Sequence, residues 1–317
     1  MRKLPPKRLW AVCAALMASA QAQASVEILF QDPQALHTSQ YADIQRVAIA
    51  AGQDWLSRFL APGVDPTISV QISFAPIATA NGRSLTSSQV GTTAKGLRLF
   101  EQGAAYEVET GTDPNGAAAD VEITLGDNGY LQNELWFDPD PVLRQAFVPL
   151  DRTDAFSVFL HEFGHAFGFN GWRNGLTGAL PGDYLSTFDD LVDEDAVAGG
   201  AGLYFGGTRA VGVYGAPVPL TQGLYGHFGN WGPGPGSQLA PDLMNGLAFV
   251  RGARYDISAL DLAVLRDLGL PVLAAAAAAV PEPGTLLLAL SALGLLGGLR
   301  AAAKAGQRQQ ARTRQGQ

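Results

Sequence analysis

The run His161-Glu162-Phe163-Gly164-His165 carries the side chains that metal-dependent hydrolysis requires, at helical spacing. Because the two histidines are four residues apart, a helix places both imidazoles on one face, where they can bind a single Zn²⁺. Glu162 lies one position round that helix, beside the water that such a metal would hold, and can accept the proton of that water. The spacing predicts a zinc site with Glu162 as the catalytic base.

A third ligand must come from outside this run. The chain has four histidines, and His227, in a glycine-rich and aromatic run upstream of Met244, is the predicted third ligand. Three neutral imidazoles leave the fourth coordination position of zinc free for water, as catalytic sites require. Glu194 is the alternative third ligand. It lies in an acidic stretch, 189–195, that is otherwise predicted to be solvated or to bind Ca²⁺. His37 has no predicted role.

Each of these side chains also has an ordinary structural interpretation. His161 and His165 could belong to the core, and Glu162 could be an exposed helix carboxylate. His227 could be a surface or stacking histidine in a glycine-rich loop. Met244 could fill a gap in the core, since methionine adapts to irregular spaces.

The helix that carries the motif is predicted over roughly 153–169. Asp151 is its predicted cap, Asp154 suits its first turn, and Gly168 allows it to end abruptly. The apolar residues of this helix fall in one sector of a helical wheel, nearly opposite the two motif histidines. They are Phe156, Phe159, Leu160, Phe163 and Phe167. One face should therefore pack into an aromatic core while the other presents the histidines to a cleft.

The remaining patterns predict an α+β fold. Helical spacing of apolar residues predicts helices over 40–61 and 257–268, the second opened by a cap of the Ser-x-x-Asp type. Apolar residues at alternate positions predict strands over 67–74 and 121–125, and a shorter strand is predicted at 135–137.

Two further predictions concern the N-terminal half. Residues 79–118 are rich in Gly, Ser, Thr and Asn, and are predicted to form loops with one short helix near Ala104. The strand at 121–125 could bind an extended peptide by pairing along its edge.

Taken together, the motif, Gly168 and Met244 resemble the metzincin metalloproteases, whose pattern is H-E-x-x-H-x-x-G-x-x-H followed by a methionine-containing turn. Gly171 stands where the third histidine of that pattern is expected. The leishmanolysin branch is more similar, because there an insertion separates the glycine from the third histidine, the order in which His227 follows the motif. The resemblance covers roughly 151–270. It implies a two-lobed zinc protease with a twisted N-terminal sheet and an active-site helix.

The first 24 residues have the pattern of a secretory signal peptide. A basic n-region precedes the apolar stretch 10–20, and Ala22-Gln23-Ala24 offers a small-residue cleavage site. The apolar stretch is well short of the ~20 residues that a membrane-spanning helix needs. Cys13, the single cysteine, lies inside this stretch without a lipobox, so the exported protein is expected to contain no disulfide.

The C-terminal residues 281–317 resemble the PEP-CTERM sorting signal of Gram-negative bacteria. The motif Pro281-Glu282-Pro283 precedes a short apolar run, 285–299, and a basic tail. That run is barely long enough to cross a bilayer, and the tail would stay cytoplasmic. The resemblance implies transient membrane association and cleavage by an exosortase-type enzyme. A permanent anchor is the alternative interpretation.

Between the two ends, 25–271 is predicted to be a metalloprotease domain, joined to the sorting signal by an alanine-rich linker, 272–280. The signal segment and the tail hold nine of the 21 basic residues, so 25–280 carries about −16 from 12 basic and 28 acidic residues. That charge argues against nucleic acid and anionic lipid surfaces as partners.

The predicted function is that of a secreted zinc-dependent endopeptidase acting on proteins or peptides. Its predicted location is the cell envelope, the cell surface or the extracellular matrix. One alternative is a gluzincin-type protease with a carboxylate as third ligand. Another is a catalytically inactive zinc-fold surface or matrix protein, against which the intact Glu162 argues.

Overall fold

The computed structural model of the 317-residue chain describes residues 24–59, 65–127, 129–193, 202–229 and 236–273. Most of the predicted signal peptide, the apolar run 285–299 with its basic tail, and Glu194 lie outside these ranges. Within them, no helix is both long enough and apolar enough to cross a bilayer. The fold mixes helices with several sheets, which confirms the predicted α+β class. The described residues up to Val272 form one compact unit.

The strands are short and are numbered in chain order. They are β1 Ser25–Gln31, β2 Thr67–Ala75, β3 Ala80–Ser84, β4 Ser87–Thr92, β5 Arg98–Gln102, β6 Val121–Gly126, β7 Leu135–Trp136, β8 Thr153–Asp154, β9 Tyr184–Ser186, β10 Val192–Asp193, β11 Tyr204–Phe205, β12 Val218–Thr221 and β13 Leu224–Phe228. The α-helices are α1 Tyr41–Leu56, α2 Gly103–Thr110, α3 Ala155–Phe167, α4 Thr187–Asp190, α5 Thr208–Tyr214 and α6 Ala259–Leu268.

The main sheet has the strand order β1-β2-β6-β3. Strands β1, β2 and β6 run parallel, and β3 pairs with β6 in the antiparallel sense. Ile68, Val70 and Ile72 of β2 are fully buried, and Val70 and Ile72 lie opposite Val121 and Ile123 of β6. Alternating burial of this kind is what an apolar-polar alternation produces. The predicted strands at 67–74 and 121–125 are therefore confirmed.

Helix α1 packs against β1 of this sheet and against α3, which contacts β3 and β6 of the same sheet. It forms where helical spacing predicts it but ends at Leu56 rather than at 61. The side chains of its predicted apolar stripe, among them Ile44 and Val47, are buried. The indole Nε1 of Trp55, also fully buried, donates a hydrogen bond of 2.8 Å to the carbonyl of Leu160 in α3. This bond connects α1 to the helix that carries His161, Glu162 and His165.

The loops predicted for 79–118 are largely wrong. Strands β3, β4 and β5 lie there, together with α2, which confirms the short helix near Ala104. Strands β3 and β4 escaped prediction because their residues are mostly small or polar and many of their side chains are exposed. Their conformation comes from pairing with other strands: β3 with β6, and β4 and β5 with each other and with β9.

The C-terminal half consists of smaller elements. Strands β10 to β13 form an antiparallel sheet whose last strand carries His227. Helix α6 begins with the predicted cap, in which Ser258 and Asp261 exchange hydrogen bonds with each other's backbone amides. Its apolar side chains, including Val264 and Leu265, are buried against the core.

The acidic stretch 189–195 is not uniformly solvated. Asp189 is 2 % exposed and accepts hydrogen bonds from the Trp172 amide (2.8 Å) and the Ser186 hydroxyl (2.9 Å). The Nε atom of Arg173 lies 3.7 Å from the other oxygen of Asp189. The solvated interpretation is therefore wrong for Asp189, because one of its oxygens accepts hydrogen bonds from both Trp172 and Ser186 and so holds the two chain segments together.

Candidate metal centre

Helix α3 begins two residues later than predicted, and its cap is Asp154 rather than Asp151. The Asp154 carboxylate accepts hydrogen bonds from the Ser157 hydroxyl (2.7 Å) and the Ser157 amide (3.3 Å). Thr153 and Asp154 pair as β8 with β7, so the chain is still extended immediately before the helix. Burial raises the pKa of Asp154, against the lowering effects of its bonds to Ser157 and of the nearby Arg254 and Arg144.

The two faces of α3 divide as the helical wheel predicts. Phe159, Phe163 and Phe167 are fully buried, whereas His161 and His165 line a cleft on the other side. The interpretation of these histidines as plain core residues is therefore wrong.

Gly168 ends α3 as predicted. It has a φ of 150°, which side chains rarely allow. A Cβ atom there would also lie 2.5 Å from a methyl carbon of Leu268. The sharp turn brings the Phe169 carbonyl within 2.6 Å of the His165 Nδ1 atom. The end of the helix therefore orients one of the two motif histidines.

Three of the four histidines meet in the cleft. The Nε2 atom of His161 lies 3.1 Å from the Nε2 atoms of both His165 and His227, and the last two are 3.0 Å apart. Strand β13 brings His227 to α3 by pairing with β12 and by a bridge from Phe228 to Asn245. The structure thus assembles the three predicted ligands, although two of them lie far from the third along the chain.

The Nδ1 atoms, which point away from the centre of the cluster, indicate which nitrogen of each ring carries the proton. The Nδ1 atoms of His161, His165 and His227 lie 2.7, 2.6 and 3.2 Å from the carbonyl oxygens of Leu243, Phe169 and Leu224. A carbonyl only accepts, so each Nδ1 carries the proton and donates it.

All three Nε2 atoms then present lone pairs to one another. Burial, with the nearby His165 ring second, lowers the pKa of His161 to about 3, and burial also lowers those of His165 and His227. The neutral rings have no proton to share inside the triangle. Tetrahedral zinc with bonds of ~2.0–2.1 Å would hold its ligand nitrogens ~3.3 Å apart. The donor set therefore fits one such cation.

A turn containing Met244 supports this cluster from below. Leu243 supplies the carbonyl that holds His161, and the Met244 carbonyl accepts from the Phe228 amide at 2.8 Å. The buried Met244 sulfur packs against Gly164, between the two motif histidines. Met244 fills a core position, as the ordinary interpretation has it, but the position lies directly beneath the histidines.

Glu162 is 5 % exposed and lies at the edge of the same cleft. Burial raises its pKa to about 8, against the lowering effect of a hydrogen bond from the Gly82 backbone. Strand β3 runs so close to α3 here that a Cβ atom on Gly82 would lie 2.4 Å from the Glu162 carbonyl oxygen. This contact positions the edge of the main sheet beside the predicted catalytic base.

Strand β3, not β6, is the edge strand at the cleft. In the described sheet β6 lies between β2 and β3, so both of its edges are used, and the predicted peptide pairing at 121–125 is wrong. The cleft encloses about 590 Å³ and is lined on one side by Ala80 and Asn81 of β3. Sequence reasoning missed β3 because its residues, Ala-Asn-Gly-Arg-Ser, do not alternate in polarity.

Sequence reasoning also missed Tyr130, which lines the cleft at the start of a short π-helical turn, Tyr130–Glu134. Burial raises its pKa, and the nearby carboxylates of Glu162 and Glu134 raise it further. The hydroxyl therefore stays protonated and can donate. The only sequence signal was a glycine-tyrosine pair after a strand, which is too common to single out.

His37 lies away from the cleft residues. Its ring stacks on Phe74 with centroids 3.9 Å apart, and its Nδ1 atom is 3.3 Å from an Asp32 oxygen. These contacts explain the fourth histidine by local packing alone.

Comparison with protein families matches residues 279–304 to the PEP-CTERM protein-sorting motif. Neither the comparison with curated proteins nor that with solved structures found a match. The motif residues lie outside the described ranges. The match confirms the predicted sorting signal and implies processing by an exosortase-type enzyme. The chain carries the signal of an exported protein sorted to the envelope of a Gram-negative cell.

Proposed function

We propose that this chain is an exported zinc-dependent endopeptidase with a metzincin-like, two-lobed catalytic fold. The observation that carries the proposal is the triangle of Nε2 lone pairs from His161, His165 and His227, 3.0–3.1 Å apart. Neutral nitrogens at this separation repel one another unless a cation lies among them. Three imidazoles with open space above them are the ligand set of catalytic rather than structural zinc.

Zinc bound there would lower the pKa of a coordinated water to ~7 and polarise the scissile carbonyl. A cation held by the three histidines would favour the ionised form of Glu162. The Glu162 carboxylate accepts the proton of the attacking water and delivers it to the leaving amine. The backbone of Gly82 in β3 holds the Glu162 side chain at the edge of the cleft. The carbonyls of Leu243 and Phe169 orient the two motif imidazoles, as partners of metal-binding histidines commonly do.

An extended peptide is the substrate that suits the walls of this cleft. Strand β3 is the outer strand of the described sheet, and its residues Ala80 and Asn81 face the open space. A substrate strand that pairs with this edge brings its backbone across the three histidines. The side chains of Phe249 and Leu247 offer apolar contacts on the opposite side. Tyr130 is the candidate hydrogen-bond donor to the oxyanion that forms when the carbonyl is attacked.

The alternative functions have less support. A carboxylate third ligand from Glu194 is not needed, since His227 already meets the two motif histidines. An inactive scaffold would not need a buried carboxylate beside the histidines. The sorting motif fits either an enzyme or a scaffold because it reports a location and not a chemistry.

The decisive experiment measures bound zinc and peptide cleavage in the wild-type protein and in Glu162→Gln. We expect one zinc per chain in both, and a loss of cleavage of roughly 10²–10⁴-fold in the variant. Glu27→Gln, which changes an exposed carboxylate on β1, is the matched control and should keep full activity. Bound zinc without wild-type cleavage of a broad peptide library would favour the inactive scaffold instead.

A further inference from the structure

A second group of metal-ligating side chains lies outside the cleft. Glu107 in the last turn of α2, Asp113 in the following loop and Asp120 just before β6 each direct one oxygen to a common point. These ligand oxygens all lie within 4.8 Å of one another. The three residues have no part in the zinc site or in the proposed hydrolysis.

Two of these carboxylates are buried with an oxygen that has no hydrogen-bond partner. Glu107 is 5 % exposed, and its Oε2 atom has no hydrogen-bond partner. Asp120 is 3 % exposed, and its Oδ1 atom has none either. The other Asp120 oxygen accepts from the Ser69 amide (2.8 Å) and hydroxyl (2.7 Å), which holds the side chain in place. Burying a carboxylate oxygen without a hydrogen-bond partner costs free energy. Two such oxygens in one acidic cluster therefore need a positive partner.

The negative charges also act on one another. Burial raises the pKa of Glu107 to about 8, and the nearby charges of Asp120 and Asp113 add to this effect. The carboxyl groups of Glu107 and Asp120 lie within hydrogen-bonding range, yet two carboxylates have no proton to donate. Either a shared proton or a cation must lie between them.

Hydrogen bonds within the loop that contains Asp113 fix its conformation. One Asp113 oxygen accepts from the amides of Asn115 (2.8 Å) and Gly116 (2.7 Å). The Asn115 side-chain amide donates to the carbonyls of Ala118 (2.9 Å) and Ala119 (2.7 Å), whereas its Oδ1 atom is buried without a partner. These bonds hold the loop that carries Asp113 in a fixed conformation.

We propose that Glu107, Asp113 and Asp120 bind a Ca²⁺ ion that fastens the loop between α2 and β6. All of the donors are oxygens, which favours a hard cation over zinc. Three carboxylates supply the charge that calcium sites use, and the exposed side of Asp113 leaves room for the waters that complete a shell of six to eight oxygens. Through Asp120 and Ser69 the ion would also stabilise the junction of β2 and β6.

The test is the thermal unfolding of the purified protein, held at one equivalent of zinc, as CaCl₂ or MgCl₂ is added. Calcium near a hundred times its dissociation constant should raise the midpoint by roughly 5–10 °C, and magnesium by much less. Isothermal titration calorimetry with CaCl₂ should report one site. Absence of both the shift and the binding heat in the wild-type protein would overturn the proposal in favour of a proton-sharing pair.

Two variants separate binding from folding. Asp113→Asn keeps the oxygen that accepts from Asn115 and Gly116, so it should fold and bind Ca²⁺ roughly tenfold more weakly. Glu107→Gln should be at least as stable as the wild type without calcium, because it removes a repelled charge, and should lose the calcium-induced shift. Glu27→Gln is the exposed control and should keep it. A full shift in both cluster variants would place the calcium elsewhere.

Discussion

The Met244 sulfur packs against Gly164, the residue in α3 that lies between the two motif histidines. A Cβ atom at Gly164 would lie 2.5 Å from that sulfur and 3.0 Å from the methyl carbon of Met244. Met244 is the only methionine after Met17. Leu243, its neighbour, supplies the carbonyl that orients His161, so the Gly164 contact links helix packing to the candidate metal centre.

Gly164→Ala should therefore destabilise the protein by about 1–3 kcal/mol, as overpacking does. It should also weaken zinc binding, because displacement of Met244 moves the Leu243 carbonyl away from His161. Urea unfolding and zinc titration measure the two effects. Gly212→Ala in α5 is the matched control, since a Cβ atom there meets nothing within 4 Å. It should be neutral or stabilising, and equal behaviour of the two variants would contradict the packing argument.

His227→Ala should lower the zinc content of the purified protein sharply. One of three converging Nε2 donors is lost, and the two that remain come from neighbouring turns of α3. Metal analysis after dialysis against a competing chelator checks this. His37→Ala should keep its zinc, since His37 contacts Asp32 and Phe74 instead. Unchanged zinc in His227→Ala would transfer the third-ligand role to another group such as Glu194.

Tyr130→Phe should reduce kcat by roughly 10²-fold with little change in KM, if its hydroxyl donates only to the developing oxyanion. The ring that lines the cleft is retained, so substrate binding should survive. Steady-state kinetics on one peptide separates the two constants. Tyr184→Phe in β9, outside the residues that line the cleft, is the control. A rise in KM at constant kcat would instead indicate a role in binding.

Glu101→Gln should change how stability depends on pH. Glu101 is 3 % exposed, and burial, followed by the charge of Glu109, raises its pKa to about 8. The folded protein thus binds this proton more tightly than the unfolded chain, so stability should fall as pH rises from the ordinary carboxyl range to about 8. The variant should flatten this fall and be more stable by about 1–3 kcal/mol at pH 8.5.

Chemical unfolding at pH 5 and pH 8.5 measures the difference. The exposed Glu27→Gln should follow the wild-type curve at both values. An equal effect of Glu101→Gln at the two pH values would mean that Glu101 is ionised throughout in the folded protein.

Local patterns in the sequence were sufficient for several elements. The faces of α1 and α3, the buried strands β2 and β6, and the cap of α6 follow from side-chain periodicity and short-range hydrogen bonds. The sidedness of His161 and His165 follows from the same helical geometry. Each of these features depends on residues only a few positions apart, so it can be predicted from the sequence without knowledge of the tertiary structure.

Where prediction failed, tertiary contacts decided the outcome. Asp154 rather than Asp151 caps α3 because pairing of β8 with β7 keeps the chain extended up to that residue. Strand β3, which has no apolar alternation, is held by its pairing with β6 and its contact with Glu162. Asp189 is buried because it accepts hydrogen bonds from a distant loop.

The sequence by itself determined that His161 and His165 lie on one face of a helix with Glu162 beside them, and it named His227 as a candidate to join them. Only the tertiary structure decided that His227 reaches them, because β13 is positioned by β12 and the Met244 turn rather than by its own residues. The cluster of Glu107, Asp113 and Asp120 left no pattern in the sequence. Its members meet because the pairing of β6 with β2 brings Asp120 back beneath α2, and such long-range closure depends on packing rather than on spacing along the chain.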